Sequence, residues 1–152
     1  MPAMDSYALW KTLHVTSAVL IVGNVTVTGF WAYFLYRQRR QVGFRAIARG
    51  IMWSDLIFTL VGGVGLTISG ILMVRAQQVP ILDTPWLRRG VVMLGISTLV
   101  WLVALLPDQL RMERLDQSDD RGMRRLFIRW SVLGWASTVL LFIGLWSMVM
   151  KR

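Results

Sequence analysis

The sequence has no cysteine, one histidine and few acidic residues. Its 152 residues contain 8 Asp and Glu against 17 Lys and Arg, which gives a formal net charge of +9. Without cysteine, the chain cannot form disulfides, thiolate metal sites, iron–sulfur clusters or a covalent c-type haem attachment. It also lacks an HExxH motif, a Walker loop and a dinucleotide-binding fingerprint. These absences exclude several large enzyme classes, and the sequence does not decide whether the protein is an enzyme.

Apolar residues, in contrast, are abundant and occur in long blocks. They make up 55% of the chain, and the mean hydropathy is +0.55. A bilayer core of about 30 Å requires roughly 20 helical residues. Four stretches are long enough, at about 7–36, 51–74, 86–106 and 126–150. The sequence therefore predicts an all-α integral membrane protein, with residues 1–152 forming one up-down-up-down four-helix bundle in the lipid bilayer.

The charges of the connections predict the orientation of the bundle. Residues 37–50 and 107–125 each contain five arginines, whereas 75–85 contains one base and one acid, Asp83. Short basic loops remain in the cytoplasm. We therefore expect a bacterial inner membrane protein with loops 37–50 and 107–125 inside and both termini outside. This topology accounts for the basic excess, so no nucleic-acid partner is expected.

The sequence also predicts where helices begin and end. Asp83-Thr84-Pro85 is typical of an N-cap followed by proline at the start of the third helix, and Pro107 is expected to end that helix. Six tryptophans are expected near the two membrane interfaces and two lie deeper. The interfacial group is Trp10, Trp31, Trp53, Trp86, Trp130 and Trp146, and the deeper residues are Trp101 and Trp135.

Each predicted span carries a stripe of small and polar residues at helical spacing. Such residues pack helices together in lipid, because lipid tails provide no hydrophobic drive for association. The stripes are therefore expected to face the bundle interior. They contain His14, Ser17, Ile21, Asn24 and Thr28 in the first span; Asp55, Thr59, Gly62, Leu66, Ser69 and Met73 in the second; Gly90, Met93, Ser97, Val100 and Ala104 in the third; and Trp130, Gly134, Ser137, Leu141, Gly144 and Met148 in the fourth.

His14 is the candidate cofactor ligand, because ionisable residues inside membrane spans are costly and are usually functional. The alternating topology places it in the outer layer together with Met73, Met93 and Met148. An imidazole with thioethers suits a b-type haem, and the same donors suit Cu(I). Lys11, one turn before His14, could neutralise a haem propionate or extend to the surface. In the structural alternative, His14 is a neutral imidazole bonded to a helix carbonyl or to Ser17, and the methionines fill packing gaps.

Two charged residues lie at the opposite end of the predicted bundle. Asp55 is one turn into the second span, and Arg129 is one turn into the fourth at the same level. A buried charge requires a partner. We therefore expect a structural ion pair between Asp55 and Arg129, with Arg49 or Arg125 as alternative partners.

Several short segments resemble an uncharacterised family of predicted bacterial integral membrane proteins with four helices. They are Leu9-Trp-Lys-Thr-Leu-His14-Val with Gly23, Ser54-Asp55-Leu-Ile-Phe-Thr59, Thr84-Pro-Trp-Leu87, and Arg125-Leu-Phe-Ile-Arg-Trp130 with Gly134-Trp135. This family looks like a distant relative of the CopD copper-resistance and HemJ-type membrane proteins. The HemJ group is associated with haem b and with protoporphyrinogen oxidation, and its first-helix histidine would correspond to His14.

The resemblance to HemJ-type proteins breaks at the third helix. Those chains begin this helix with Trp-Leu-His-Ala-Lys, whereas this one has Trp86-Leu-Arg-Arg-Gly90. The resemblance therefore implies binding of haem or a related tetrapyrrole near the outer face rather than the same catalysis. The alternative function is a non-catalytic subunit that packs against a larger membrane complex or against copies of itself. Copper handling is the third hypothesis.

Overall fold

The computed structural model describes residues 2–38, 44–115 and 119–151. Within these ranges it contains six α-helices and no strands. The helices are α1 (Pro2–Arg37), α2 (Phe44–Ser54), α3 (Leu60–Gln77), α4 (Pro85–Val100), α5 (Leu106–Arg114) and α6 (Asp120–Met150). A π-helical turn, Asp55–Thr59, joins α2 to α3, and a second, Trp101–Leu105, joins α4 to α5.

The helices form four spans that are long and apolar enough to cross a membrane. They are Ser6–Arg37, Arg49–Gln77, Pro85–Arg114 and Asp120–Met150, called here the first to fourth spans. Large apolar side chains face outward along all of them, including Val19, Val61, Val103 and Val139. An apolar exterior of this extent fits lipid rather than water. The predicted all-α architecture with four spans is confirmed.

The spans alternate in direction, so the described helix ends fall into two groups. We call the end formed by Arg37, Phe44, Arg114 and Asp120 the basic end and the opposite one the terminal end. The predicted loop arginines Arg39 and Arg40 lie outside the described residues, as does the side chain of Arg45. The orientation of these ends relative to a membrane stays a prediction.

The four spans pack as two close pairs. The first span packs along the second, and the third packs along the fourth, while α1 and α6 join the two pairs. The second and third spans meet at the basic end, where α2 contacts α5. Towards the terminal end they separate, and no Cα of α3 lies within 8 Å of a Cα of α4. The bundle is therefore open between α3 and α4.

Small residues set the close approach within each pair, as the stripes predicted. A Cβ added at Gly62 would lie 2.7 Å from Cγ1 of Ile21 and 3.2 Å from the carbonyl oxygen of Ser17. Between the third and fourth spans, Ser97 Oγ donates to the Ser137 carbonyl at 3.2 Å. Close backbone contact and hydroxyl bonds of this kind drive association of helices in lipid.

The third span continues beyond the predicted end at Pro107. Proline lacks an N–H, and in a regular α-helix its ring would clash with the carbonyl of Val103. The π-helical turn Trp101–Leu105 widens the backbone at this point, and the chain continues as α5 to Arg114. The prediction that Pro107 ends the helix was therefore wrong, and Asp108 and Gln109 lie inside the bundle instead of in a loop.

The third span starts where the sequence predicts, but the expected N-cap hydrogen bond to the helix is not formed by Thr84. Pro85 is the first helical residue, and Thr84 occupies the N-cap position with extended backbone. Its side chain does not cap the helix but donates to the Pro80 carbonyl at 2.7 Å. The helix start therefore depends on the backbone conformation that proline imposes.

The tightest apolar packing lies in the basic half of the bundle. Trp130, which lies on the predicted inward stripe of the fourth span, is buried there at 7% exposure, and its expected level near a membrane interface stays a prediction. Phe127 stacks on Tyr36 with ring centroids 3.9 Å apart. The buried cluster comprises Ala32, Trp101, Leu105, Met112, Phe127 and Trp130. This cluster packs the basic half of the bundle, whereas the opening between α3 and α4 lies towards the terminal end.

Candidate ligand site between the four spans

His14 lies between the first and second spans, where its ring is held by α3. Its Nδ1 is 3.1 Å from the carbonyl oxygen of Leu66 and 3.1 Å from Oγ of Ser69. A carbonyl oxygen only accepts, so the bond to Leu66 places the imidazole proton on Nδ1. Ser69 Oγ itself donates to the Gly65 carbonyl at 2.5 Å. In this tautomer the lone pair of His14 lies on Nε2.

Two of the methionines proposed as partners of His14 lie between the other two spans. Met93 and Met148 belong to the packing of α4 against α6, where Met148 would meet a Cβ at Gly90 and Met93 lies 3.3 Å from a Cβ at Gly144. Met73 is one turn beyond Ser69 on α3. The structure therefore divides the expected ligand set between the two helix pairs.

Lys11 is exposed on the first span, one turn from His14. Within residues 2–38, 44–115 and 119–151 no three His, Asp or Glu side chains form a group that could hold a metal ion. His14 is the only histidine of the sequence, so a haem held here would have one imidazole ligand, through Nε2.

Arg129 pairs with Asp108 instead of Asp55. Its Nε donates to Oδ2 of Asp108 at 2.8 Å, and its Nη2 donates to Oδ1. Arg111 also reaches Asp108 Oδ1, at 3.4 Å. The predicted ion pair between Asp55 and Arg129 was therefore wrong. The reason is the extension of the third span, which brings Asp108 into the bundle beside Arg129.

Asp55 is held by amides from two other spans. Asn24 Nδ2 on the first span donates to its Oδ1 at 2.9 Å, and Gln109 Nε2 on the third donates to its Oδ2 at 2.6 Å. The side chain is buried, with 6% exposure. A single carboxylate therefore connects three of the four spans.

Hydroxyl groups extend this cluster around Asn24. Ser54 Oγ donates to Asn24 Oδ1 at 2.7 Å, and Thr28 Oγ1 donates to the same oxygen at 3.3 Å. Asn24 Nδ2 also lies 3.3 Å from Thr59 Oγ1. We call the six residues Asn24, Thr28, Ser54, Asp55, Thr59 and Gln109 the polar cluster. Its bonds fix the orientation of the Asp55 carboxylate.

Asp55 has no cationic partner among the described side chains. No Lys or Arg nitrogen of that part of the chain lies within 4 Å of its oxygens, whereas Asp108 and Glu113 both have such partners. An ionised group inside a membrane span costs about 2.5–3.5 kcal/mol or more unless it is compensated. The polar cluster provides hydrogen bonds to Asp55 but no opposite charge.

A cavity of about 350 Å³ lies beside Asp55 and is bordered by all four spans. Most of its wall is apolar, and Asp55, Thr28 and Thr59 contribute polar atoms from the polar cluster. On the open side between α3 and α4, its lining includes Val64 and Ile68, which are also exposed on the bundle surface. The cavity therefore opens sideways, towards the region that lipid occupies in a membrane.

Two buried tryptophans in the cavity wall keep unused hydrogen-bond donors. Trp101 and Trp130 line the cavity, and the indole Nε1 of each is buried without a hydrogen-bond partner among the described residues. Gln109 Oε1 is also buried without a hydrogen-bond partner among the described residues. Buried polar atoms are usually satisfied, so these three atoms are exceptions among the described residues.

Both π-helical turns border this cavity. The turn Asp55–Thr59 contributes both of its end residues, and the turn Trp101–Leu105 does the same. A π-helical turn shifts the register of side chains and is frequent at functional sites. Here the two turns direct an acidic side chain and an aromatic one to the same space.

Sequence reasoning identified part of this site and missed the rest. Asp55, Thr59 and Asn24 lie on the predicted inward stripes. Gln109 was missed because residues after Pro107 were assigned to a loop. A signal for it exists in the sequence: residues 101, 105, 109 and 112 recur at helical spacing across the proline.

Comparison with known families gives one result. The family model described as "Predicted integral membrane protein (DUF2269)" matches residues 8–152. No curated protein and no solved structure matched the chain.

Proposed function

The chain belongs to the DUF2269 family of predicted integral membrane proteins, and we propose that it binds a small amphipathic molecule taken up from the lipid phase. The observation that carries this proposal is the cavity beside Asp55, because it combines an apolar wall with a buried acidic group and opens between α3 and α4. Pockets with a few placed polar groups in an apolar lining are typical of small-molecule sites.

The size of the cavity supports a compact ligand. An engineered protein cavity of about 150 Å³ accommodates benzene, and the present cavity measures about 350 Å³. It therefore has room for a ring system of two or three fused rings.

A neutral probe tests this proposal. 1-Adamantanol has a compact apolar cage with one hydroxyl, and its binding to the detergent-purified full chain can be measured by isothermal titration calorimetry. We expect saturable binding that Gly134→Leu abolishes, because Gly134 lines the cavity and a Cβ there meets no atom within 4 Å. The added side chain would therefore begin in open space at the cavity wall and reduce the space for a ligand.

Gly95→Leu is the matched control. Gly95 is exposed on α4, is not part of the cavity lining, and also has no atom within 4 Å of an added Cβ. This variant should bind 1-adamantanol as the wild type does. Equal binding by the Gly134→Leu variant would overturn the proposal, as would a wild type that binds neither 1-adamantanol nor the amine with the same cage.

Haem binding through His14 is a second candidate function. The observation in its favour is the bond from Nδ1 to the Leu66 carbonyl, which orients the ring and leaves Nε2 for a metal. Haem would supply one-electron redox chemistry at the terminal end of the bundle. His14 would hold the iron through Nε2, and Met73 on α3 would be the candidate second ligand from the same helix pair, because Met93 and Met148 belong to the other pair.

An absorbance spectrum tests this second candidate. A Soret band in the purified protein that shifts on addition of dithionite and disappears in His14→Ala would support it. Thr12→Ala is the control, since Thr12 is exposed on the same helix and bonds only to the Ala8 carbonyl of its own helix. A fully folded protein without a Soret band would exclude haem as a resident group.

The remaining hypotheses have less structural support. Cu(I) needs several soft donors together, and the methionines Met73, Met93 and Met148 are divided between two helix pairs. A subunit role, within a larger complex or a homo-oligomer, rests on the basic charge of the loops alone. For localisation, we propose a bacterial inner membrane with the basic end in the cytoplasm, following the positive-inside rule.

A further inference from the structure

We propose that the ligand of this cavity is a lipophilic organic ammonium ion whose charge pairs with Asp55. This inference rests on the function proposed above and names the chemical class of its ligand. It follows from the contrast between the two buried aspartates of the bundle, Asp55 and Asp108.

The two aspartates are buried to a similar degree but are compensated differently. Asp108 is fully buried and pairs with Arg129 and Arg111. Asp55 is 6% exposed and receives hydrogen bonds only from the neutral amides of Asn24 and Gln109. Amide N–H donors stabilise a carboxylate but do not neutralise it. The missing positive charge at Asp55 is therefore the feature that a ligand would supply.

The cavity wall fits an organic cation better than a metal ion. Hard metal cations take six or more oxygen ligands, whereas the flanks of the Asp55 carboxylate are occupied by the N–H groups of Asn24 and Gln109. The rings of Trp101 and Trp130 line the same cavity. Tryptophan faces attract ammonium groups when these lie within about 6 Å of the ring centre. An acidic group beside aromatic and apolar walls thus matches a cationic head on a hydrophobic body.

The opening of the cavity fits the same ligand class. An amine with a compact hydrocarbon body partitions into a membrane and can approach the gap between α3 and α4 from the lipid side. The exposed lining residues on this side, Val64 and Ile68, would contact its apolar body. Its ammonium group would then reach Asp55 and form an ion pair. A neutral molecule of equal shape would form no such pair.

A matched pair of probes tests the ammonium class. 1-Adamantylamine and 1-adamantanol share one hydrocarbon cage and differ in the charged or neutral head. Their affinities for the full chain in micelles are compared by calorimetry, after subtracting the heat of partitioning into protein-free micelles. We expect the amine to bind about tenfold more tightly or better, because close charge pairs in desolvated sites contribute at least this much.

Asp55→Asn should remove this preference selectively. The amine should lose about tenfold or more in affinity, and the alcohol should change by less than about twofold. Retained alcohol binding shows that the variant is folded. Glu113→Gln is the matched charge control, because Glu113 pairs with Arg49 and is not part of the cavity lining. It should leave both affinities unchanged.

The outcomes separate this inference from the function on which it rests. If the wild type binds both probes equally and Gly134→Leu abolishes both, the cavity is a ligand site and the ammonium class is wrong. An amine preference that persists in Asp55→Asn also overturns the inference. If neither probe binds the wild type, the proposed function itself fails.

Discussion

Arg129 and Asp108 form the ion pair that connects α5 to α6, with Arg129 Nε donating to Asp108 Oδ2 at 2.8 Å and Nη2 donating to Oδ1. Two parallel bonds of this kind are the strongest arrangement between arginine and a carboxylate. Because Arg129 is engaged there, Asp55 has no cationic partner among the described side chains beside the cavity. The pairing of Arg129 with Asp108 thus leaves Asp55 as an acidic group beside the cavity.

Replacing Asp108 should destabilise the bundle. Asp108→Asn leaves Arg129 without its anionic partner, and losing one member of a buried pair is costly. Because the Arg129 side chain is 52% exposed, solvent offsets part of this loss, and we expect the free energy of unfolding to be lower than that of the wild type. Denaturation in mixed micelles measures this change, with Asp83→Asn on the exposed connection as control. Equal stability of Asp108→Asn and wild type would contradict the assigned pairing.

Asn24 and Asp55 should be energetically coupled. Each replacement by leucine removes the bond from Asn24 Nδ2 to Asp55 Oδ1. The double variant should therefore be more stable than the sum of the single effects predicts, by about 1 kcal/mol. A double-mutant cycle measures this difference in free energy of unfolding. In the control pair, Asn24→Leu and Asp83→Leu, the changes in free energy of unfolding should be additive. A coupling near zero between Asn24 and Asp55 would show that their bond contributes nothing to stability.

Two adjacent glycines should respond differently to alanine. At Gly62 the new Cβ would lie 2.7 Å from Ile21 Cγ1 and 3.2 Å from the Ser17 carbonyl oxygen, so α1 and α3 must move apart. We expect a loss of about 1–3 kcal/mol of stability. At Gly63 a Cβ meets nothing within 4 Å, and the change should stay within about 0.5 kcal/mol. Thermal unfolding of the two variants compares them, and equal effects would contradict the packing of the first pair.

Single cysteines should report the orientation of the bundle. Since the chain has no cysteine, Gln77→Cys at the terminal end and Gln38→Cys at the basic end each provide one unique thiol. In intact cells, a membrane-impermeant maleimide should label Gln77→Cys, and Gln38→Cys should react only after the membrane is permeabilised. The reverse pattern, or labelling of both in intact cells, would refute the proposed cytoplasmic position of the basic end.

The fold was largely predictable because it depends on the length and periodicity of apolar segments. The bilayer requires about 20 apolar helical residues per span, and the stripes at His14, Asn24, Asp55 and Ser97 mark the faces that pack together. Local sequence also identified Pro85 as the first residue of the third span. These features follow from chain composition without knowledge of tertiary contacts.

The candidate site was less predictable because it depends on two π-helical turns. Neither Asp55–Thr59 nor Trp101–Leu105 has a strong local signal, and proline is ordinarily a helix terminator. As a result Asp108 and Gln109 were assigned to a loop, and Arg129 was paired with the only aspartate then expected inside a span. Which aspartate meets Arg129 is decided by tertiary packing of α5 against α6, which hydropathy does not report.

The most direct test of the account is to locate a bound probe by NMR. In perdeuterated protein in micelles, nuclear Overhauser effects are measured between the cage protons of 1-adamantanol and the tryptophan indole N–H groups. A ligand bound in the cavity should give contacts with Trp101 and Trp130, assigned by single Trp→Phe variants and lost in Gly134→Leu. Contacts confined to a tryptophan on the outer surface, such as Trp146 at 68% exposure, would contradict a ligand site inside the bundle.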